Sequence, residues 1–208
     1  FISESKYVSG LTIECAYNPV EESAKRFEKR EKIKCYTGDY EEFLENVDAV
    51  YIASPNETHF EYAKKAIEAG KHVLSEKPLS FTKKESEVLY TSAKEKGVVL
   101  MEAVKAAYCP GFQQLINVAK SGKIGDIVDV EASFTRLADP LSRERTDAEY
   151  GGAFLEFGPS VLVPVIKLMG KDYTSVTFDS IYDGNGVDLY TKADIRYDNG
   201  FATVKTGV

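Results

Sequence analysis

The 208-residue chain is 43% hydrophobic and 28% charged, an ordinary globular composition with enough residues for one large or two small domains. Its net charge of −7 argues against a nucleic-acid or anionic-membrane surface, and no run reaches the roughly 18 apolar residues of a membrane helix. The cysteines Cys15, Cys35 and Cys109 lack metal-site spacing and there are only two histidines, so we expect no metal site and reduced thiols in a cytoplasmic protein.

The first half of the chain alternates short strands with amphipathic helices. Strands are predicted at 11–17, 47–54, 72–75 and 98–102, and helices after Pro19, around 40–45, at 57–69 and at 82–96. The almost continuous apolar run at 47–54 is typical of a parallel strand covered on both faces. This rhythm predicts an α/β fold with a Rossmann-like, doubly wound parallel sheet.

The second half has a different pattern. After a helix at 110–121, residues 126–136 alternate apolar and polar side chains, which indicates a strand with one solvated face. Further strands are predicted at 175–182, 188–197 and 201–205, with an apolar helix within 151–169 and a hairpin turn at Asp198-Asn199-Gly200. We therefore predict a second α+β domain with a largely antiparallel open sheet, and domains at 1–104 and 105–208.

Polar residues follow two of the predicted parallel strands. Ser54, Pro55, Asn56 and His59 come after one strand, and Glu76-Lys77 after the next. Ligands bind beyond the carboxyl ends of strands in open parallel sheets, so we expect these residues to converge on one crevice. Two plainer interpretations stay open: Ser54 or Asn56 caps the following helix, and His59 is a buried structural histidine.

Lys77 carries the clearest chemistry. Removing a hydride from an alcohol carbon also requires removal of the hydroxyl proton, and a lysine can accept it when its surroundings favour the neutral amine. A surface lysine before a turn proline is the alternative. A cis peptide bond before Pro78 is expected, because cis bonds in proteins occur mainly before proline.

The Ser-Pro-Asn-Glu-Thr-His segment (54–59) and the Glu76-Lys77-Pro78 turn resemble the Gfo/Idh/MocA family of NAD(P)-dependent oxidoreductases. In that family the first segment touches the dinucleotide, and the lysine of the second lies at the reacting carbon. The resemblance implies hydride transfer between nicotinamide and a hydroxyl or carbonyl carbon of a sugar, polyol or cyclitol. It implies Lys77 as catalyst, with cofactor contacts from Ser54, Pro55, Asn56, His59, Glu76 and Lys77.

Two further positions match places where the family meets its cofactor. Asn18 follows the first predicted strand, where dinucleotide folds read the adenosine ribose; Asn18-Pro19 leaves the choice between NAD and NADP open. The Met101-Glu102-Ala103 and Tyr108-Cys109-Pro110 stretches resemble the family's join between domains. This resemblance implies Lys105 near the cofactor and Tyr108 as a polar catalyst, although a buried strand followed by a helix start explains the pattern equally well.

Residues 151–160 resemble the family's G-G-x-x-x-D-x-G-x-H/Y segment. Glu156 stands in place of the acid that contacts substrate, and Ser160 in place of the His or Tyr proposed as acid/base. Glu156, Ser160 and Lys77 are therefore the predicted substrate contacts, with Glu156 also in the catalytic set. Because serine does not titrate near neutrality, proton transfer would fall to Lys77, Tyr108 or water.

No G-x-G-x-x-G loop with strand and helix context is present, so we expect the family's first strand and loop either to lie upstream of Phe1 or to be missing from this version of the chain. The family's second domain carries a larger open sheet, so the resemblance also implies further sheet after Val208. The resemblance also implies a homodimer or homotetramer formed through the second-domain sheet. Three alternatives remain: a nucleotide-binding sensor or corepressor, an NAD-dependent glycosidase or epimerase without net cofactor turnover, and a plain interaction module.

Overall fold

The computed structural model describes residues 1–208, which divide into two compact units. One unit comprises Phe1–Ser75 and Thr82–Met101, and the other Glu76–Phe81 and Glu102–Val208. Contacts thus place the turn at 76–81 with the second unit, and the predicted division after residue 104 remains a prediction. None of the helices combines the length and apolar character needed to cross a bilayer.

The first unit contains two small sheets and five helices. Its strands are β1 (Cys15–Tyr17), β2 (Cys35–Thr37), β3 (Ala49–Ile52), β4 (His72–Ser75) and β5 (Leu100–Glu102), and its helices are α1 (Ile2–Ser5), α2 (Glu21–Glu31), α3 (Tyr40–Glu45), α4 (His59–Glu68) and α5 (Lys83–Lys96). β1 pairs in parallel with β2, and β3 pairs in parallel with β4 within the order β3-β4-β5.

Local sequence accounts for the helix boundaries in this unit. The Asp39 carboxylate accepts the N–H groups of Glu41 and Glu42 and begins α3. Thr82 and Glu85 form a reciprocal capping box at the start of α5, and Gly97 ends that helix with a φ of 67°. The prediction of alternating strands and helices is therefore confirmed by elements whose ends are set by short-range hydrogen bonds.

Two expectations for this unit were wrong. Strand β2 was not predicted, because it has only three residues and no periodic pattern. Cys15 and Cys35 are not isolated thiols: they lie directly opposite each other in β1 and β2 and form a disulfide. Their separation of 20 residues hid this pairing, because the adjacency exists only once β2 is formed. Cys109 is free.

The second unit is a four-stranded sheet with helices. Its strands are β6 (Asp129–Thr135), β7 (Ser175–Tyr182), β8 (Asp188–Tyr197) and β9 (Gly200–Gly207), and its helices are α6 (Pro110–Lys120), α7 (Arg143–Thr146) and α8 (Ala153–Met169). The order is β6-β9-β8-β7; β6 and β9 are parallel and the other two pairs are antiparallel. The predicted fold class, a Rossmann-like domain plus a largely antiparallel second domain, is confirmed.

Helix α8 covers one face of this sheet. Its buried side chains recur every fourth residue and pack against the inward residues of β6, β8 and β9: the helix contributes Val161 and Val165, and the sheet Val130, Ala193, Ile195, Tyr197, Ala202 and Val204. Pro159 and Pro164 lie inside the helix but off this buried row, so the helix continues through both prolines to Met169.

Candidate active site

Lys77 and Glu156 meet in the second unit. The Lys77 ammonium donates hydrogen bonds to the Glu156 carbonyl oxygen at 2.7 Å and to Glu156 Oε1 at 2.5 Å. Both side chains are largely covered, with 20% and 25% of their surfaces exposed. The lysine nitrogen also lies 5.9 Å from the ring centroid of the buried Phe157. An ammonium and a carboxylate thus lie side by side, able to hold or exchange a proton with a substrate hydroxyl.

The turn carrying Lys77 is fixed by a residue that was not singled out for this role. Glu102 Oε1 accepts the backbone N–H of Leu79 at 2.9 Å, two residues beyond Lys77. Leu79 is buried, and the Lys77–Pro78 bond is cis as predicted. The only sequence signal for Glu102 was its place in the Met101-Glu102-Ala103 stretch, which gave no indication of its partner.

Glu156 lies in the first turn of α8, and Asp188 at the start of β8 holds this end of the helix in place. Asp188 Oδ2 accepts the N–H of Phe154 at 2.8 Å and the hydroxyl of Thr191 at 2.7 Å. A side chain cannot be added at Gly152, because its Cβ would lie 2.0 Å from Asp188 Oδ1 and its φ is +97°. Gly152 is therefore needed for the close approach of β8 to the helix start, while Gly151 fits against the carbonyl oxygens of Arg143 and Asp147.

In the first unit, the predicted cofactor residues form a turn after β3. Ser54 Oγ accepts the Thr58 hydroxyl at 2.6 Å, and His59 Nε2 lies 2.9 Å from the Ser54 carbonyl. His59 is fully buried, which favours its interpretation as a support of the turn. Neither Ser54 nor Asn56 caps the helix through its side chain, so that interpretation was wrong.

Asn18 lies just after β1, at the entry to α2. Its side-chain oxygen accepts the N–H of Val20 at 2.8 Å. This hydrogen bond leaves the amide NH₂ of Asn18 as a donor. A neutral donor suits neither the 2′-hydroxyl nor the 2′-phosphate uniquely, which agrees with the open choice between the two cofactors.

The remaining predicted residues lie in the second unit. Lys105 and Tyr108 are the first and last residues of a single 3₁₀ turn, Lys105–Tyr108, which lies against α6 and α8. Both side chains are exposed. Ser160 follows Glu156 by one helical turn and is partly buried. The predicted residues of this unit are thus distributed over the 76–81 turn, this 3₁₀ turn and α8.

The residues after β3 form a turn at the carboxyl edge of two parallel strands. β3 and β4 end in register, with Ile52 opposite Ser75, so the turn follows the carboxyl edge of a parallel pair. Pro55 is exposed in this turn, and the Asn56 amide beside it is not engaged in helix capping. Edges of this kind, with polar groups after the strands, are where open α/β sheets bind nucleotides.

Two family models match consecutive parts of the chain. Residues 3–104 match the oxidoreductase family with an NAD-binding Rossmann fold, and residues 112–207 match the GFO/IDH/MocA C-terminal domain. The chain belongs to the Gfo/Idh/MocA oxidoreductase family. This confirms the resemblance drawn from the residues at 54–59 and 76–78, and it confirms the NAD(P)-binding class of the first domain.

Named relatives act on sugars and cyclitols. A dTDP-3,4-didehydro-2,6-dideoxy-alpha-D-glucose 3-reductase from Actinomadura kijaniata is 38% identical over 153 residues, covering 72% of this chain and 46% of the relative. The scyllo-inositol 2-dehydrogenase (NADP(+)) IolU from Bacillus subtilis is 29% identical over 214 residues, covering 98% and 64%. The chain thus spans about half to two thirds of the relatives' length.

A solved structure agrees with the fold. The 3-ketoreductase KijD10 from Actinomadura kijaniata, in complex with TDP-benzene and NADP, superposes with a TM-score of 0.85 at 27% identity. The match covers all of this chain and 64% of KijD10. Both the Rossmann-like unit and the mixed sheet of the second unit are therefore arrangements found in an enzyme that binds a nicotinamide cofactor.

Proposed function

We propose that this chain is the cofactor- and substrate-contacting part of an NAD(P)-dependent oxidoreductase. The substrate class is a sugar, polyol or cyclitol, and the reaction moves a hydride between nicotinamide and a hydroxyl or carbonyl carbon. The observation that carries the proposal is the Lys77–Glu156 pair, since it supplies a proton donor and acceptor beside each other. The sugar and cyclitol substrates in the relatives' names support the substrate class.

Each residue has a defined role in this proposal. Lys77 Nζ exchanges a proton with the reacting oxygen, and Glu156 orients the ammonium and a neighbouring hydroxyl. When bound, nicotinamide accepts or supplies the hydride. Tyr108 is a further polar catalyst, and Ser160 is a further substrate contact. The cofactor-binding residues are Asn18, Ser54, Pro55, Asn56, Glu76, Lys77 and Lys105, and His59 supports them through the Ser54 carbonyl.

The test begins with the full-length protein titrated with NADH and with NADPH, following nicotinamide fluorescence. Saturable binding of either is expected, and binding of neither would leave the interaction module as the better interpretation. Lys77→Ala should lower turnover by about 10²–10⁴-fold while cofactor affinity is kept, because only the proton-transfer group is lost. Lys83→Ala, at an exposed lysine paired with Glu87, is the matched control.

A second candidate is a family member without net cofactor turnover: a sensor or corepressor, or a glycosidase or epimerase. It is favoured by Ser160, which cannot act as an acid or base near neutral pH where the family has His or Tyr. Lys77→Ala separates the cases. A sensor would keep its output in this variant. An epimerase or glycosidase is recognised in the wild-type protein, which would convert substrate while the nicotinamide absorbance stays constant.

Three further properties are proposed with the function. The domain division at 104/105 is supported by the family models, which match up to residue 104 and from residue 112. A homodimer or homotetramer through the second-domain sheet is supported by the open, polar outer face of that sheet. A cytoplasmic location is supported by the acidic, ordinary composition. The Cys15–Cys35 disulfide argues against that location, because disulfides are rare in cytosolic proteins, and thiol titration of the native protein tests whether the disulfide forms.

A further inference from the structure

A second cation–carboxylate pair shares an aromatic neighbour, Phe157, with Lys77. Arg136 forms an ion pair with Glu144, and its guanidinium carbon is 5.3 Å from the ring centroid of Phe157. Lys77 Nζ lies 5.9 Å from the centroid of the same ring. The proton-transfer pair and this second pair therefore adjoin one buried phenylalanine, and the proposed proton transfer does not use Arg136.

The position of Arg136 follows from the alternation of β6. Phe134 and Arg136 are two residues apart and project to the same side, where Phe134 packs on Phe157 at 4.6 Å between ring centroids. The backbone N–H of Arg136 donates to the Gly207 carbonyl of β9 at 3.0 Å, which prolongs the sheet pairing by one residue. Arg136 is thus attached to a rigid strand end.

Glu144 is held from the other side. Its carbonyl accepts the N–H of Gly152, directly before α8, at 2.9 Å. Its own backbone N–H, together with the Arg136 guanidinium, keeps the pKa of the Glu144 carboxyl below its usual range. Glu144 is therefore charged at neutral pH and tied to the helix that carries Glu156.

Hydrogen-bonding capacity remains on both members of the pair. A guanidinium has five N–H donors, and Glu144 is the one side-chain hydrogen-bond partner of Arg136, whose side chain is 52% exposed. The carboxylate keeps acceptor sites beyond the one used by Arg136. Because the pair carries no net charge, it offers adjacent donors and acceptors to neutral hydroxyls more readily than a site for an anion.

Phe134 adds an apolar surface next to the pair. It is 45% exposed although its ring packs on Phe157. Sugar and cyclitol rings present C–H groups on their faces and hydroxyls at their edges. Sites for small ligands combine aromatic walls with a few placed polar groups, and Phe134, Arg136 and Glu144 form such a combination.

Building on the proposed function, we propose that Arg136 and Glu144 bind two neighbouring hydroxyls of the sugar or cyclitol, with Phe134 against the ring face. Arg136 donates to one hydroxyl oxygen, and Glu144 accepts from the next hydroxyl. This anchors the ring so that the reacting hydroxyl is presented to Lys77. The pair determines specificity for vicinal diols and does not take part in proton transfer.

The test measures binding to the full-length protein saturated with whichever reduced cofactor, NADH or NADPH, binds in the first titration. Probes without a free carbonyl group are used, because a reduced cofactor has no hydride acceptor in them. The probes are scyllo-inositol, D-glucose and D-glucuronate, the last two as methyl glycosides that lack a free aldehyde and differ by a carboxylate at C6. Calorimetry gives the affinities with and without the reduced cofactor. Arg136→Gln and Glu144→Gln should each weaken the affinity of the neutral probes about tenfold or more. In turnover, KM should rise while kcat changes little.

The control is Arg196→Gln. Arg196 lies over Phe201 at 5.6 Å, but it follows the buried Ile195 along β8 and so faces the opposite side of the sheet. It should leave every affinity unchanged. Equal affinities in Arg136→Gln and wild type would overturn the inference, as would a loss confined to D-glucuronate or no binding of any probe. Failure of both NADH and NADPH to bind would instead count against the proposed function.

Arg136→Lys covers the case in which Arg136→Gln does not fold. Lysine keeps the charge but loses the planar fork of donors, so a diol contact should still weaken. If Arg136→Lys binds the neutral probes as wild type does, the proposed contact between the Arg136 guanidinium and a hydroxyl is excluded. Thermal unfolding of each variant establishes that the affinities are compared between folded proteins.

Discussion

At the residue scale, the geometry of Lys77 depends on the hydrogen bond between Glu102 Oε1 and the Leu79 N–H. Glu102→Ala removes this acceptor, lets the turn shift and should lower kcat by up to about 100-fold, because small displacements of a catalytic group are costly. Glu102→Gln retains an oxygen acceptor and should restore most of the rate. Steady-state kinetics measure the effect, and the KM for cofactor should be unchanged in both variants. Equal losses of kcat in Glu102→Ala and Glu102→Gln would contradict the role of this hydrogen bond.

His59 is the second residue-scale case, because its ring is fully buried. A carbonyl oxygen only accepts, so Nε2 carries the proton in the contact with Ser54. His59→Ala leaves that carbonyl unsatisfied and should lower the free energy of unfolding by about 1–3 kcal/mol, measured by urea denaturation. His72→Ala is the matched control: this ring also accepts one backbone N–H, from Val99 at 2.9 Å, but it is exposed, so water can replace the lost acceptor and the loss should be smaller. A larger loss for His72→Ala would refute the assignment.

At the element scale, α8 connects the sheet core to the candidate active site. Asp188→Ala removes the acceptor for the Phe154 N–H and should lower the stability of the second unit by about 1–2 kcal/mol. Asp188→Asn keeps one oxygen and should lose less. Urea unfolding measures the stability, and Lys77-dependent turnover is recorded in parallel. Unchanged stability in the alanine variant would show that α8 begins without this cap.

The segment around α7 should respond to pH through Glu144. The pKa of its carboxyl is lower in the folded than in the unfolded protein, so its contribution is fully present above the unfolded value of about 4.3 and is lost as pH falls toward and through the folded value. The stability difference between wild type and Glu144→Gln should therefore shrink between pH 6.5 and 4.

Urea midpoints at the two pH values measure this difference. Solvent screening reduces the contribution of the Glu144 ion pair to stability, since its partner Arg136 is half exposed. Glu87→Gln, in an exposed pair with Lys83, serves as the reference for a surface glutamate. A difference that grows on acidification would mean that Glu144 is destabilised in the folded state.

At the scale of the whole molecule, the outer face of the second-domain sheet is polar and ion-paired. Lys205 pairs with Glu131, and Lys192 with Asp194, across or along the strands. If copies of the protein associate through this face, Lys205→Glu replaces a cation there with another acid and should shift the full-length protein toward the monomer, measured by light scattering. Lys34→Glu reverses an equivalent exposed pair with Glu14 in the first unit and should have no effect. A monomeric wild type, or equal masses for both variants, would exclude this interface.

Much of the fold could be predicted from short-range signals. The strands at 72–75, 175–182 and 188–197 were predicted at their observed bounds, because polar or glycine-containing turns delimit each run. Capping residues such as Thr82 and Asp39 defined helix starts for the same reason. β2 could not be predicted, since three residues carry no period and its existence depends on pairing with β1.

The candidate site likewise contains residues that local sequence motifs indicate and residues that only long-range contacts bring there. Local motifs were sufficient to point to Lys77 and Glu156, whose types and positions match one family, and the sequence by itself determined the fold class and the kind of chemistry. Only the tertiary structure decided that Glu102 holds the turn, that Asp188 begins α8, that Cys15 bonds Cys35, and that Arg136 and Glu144 lie beside Phe157. Each of these contacts joins residues that strand pairing or helix packing brings together, and such long-range partners leave no periodicity in the chain.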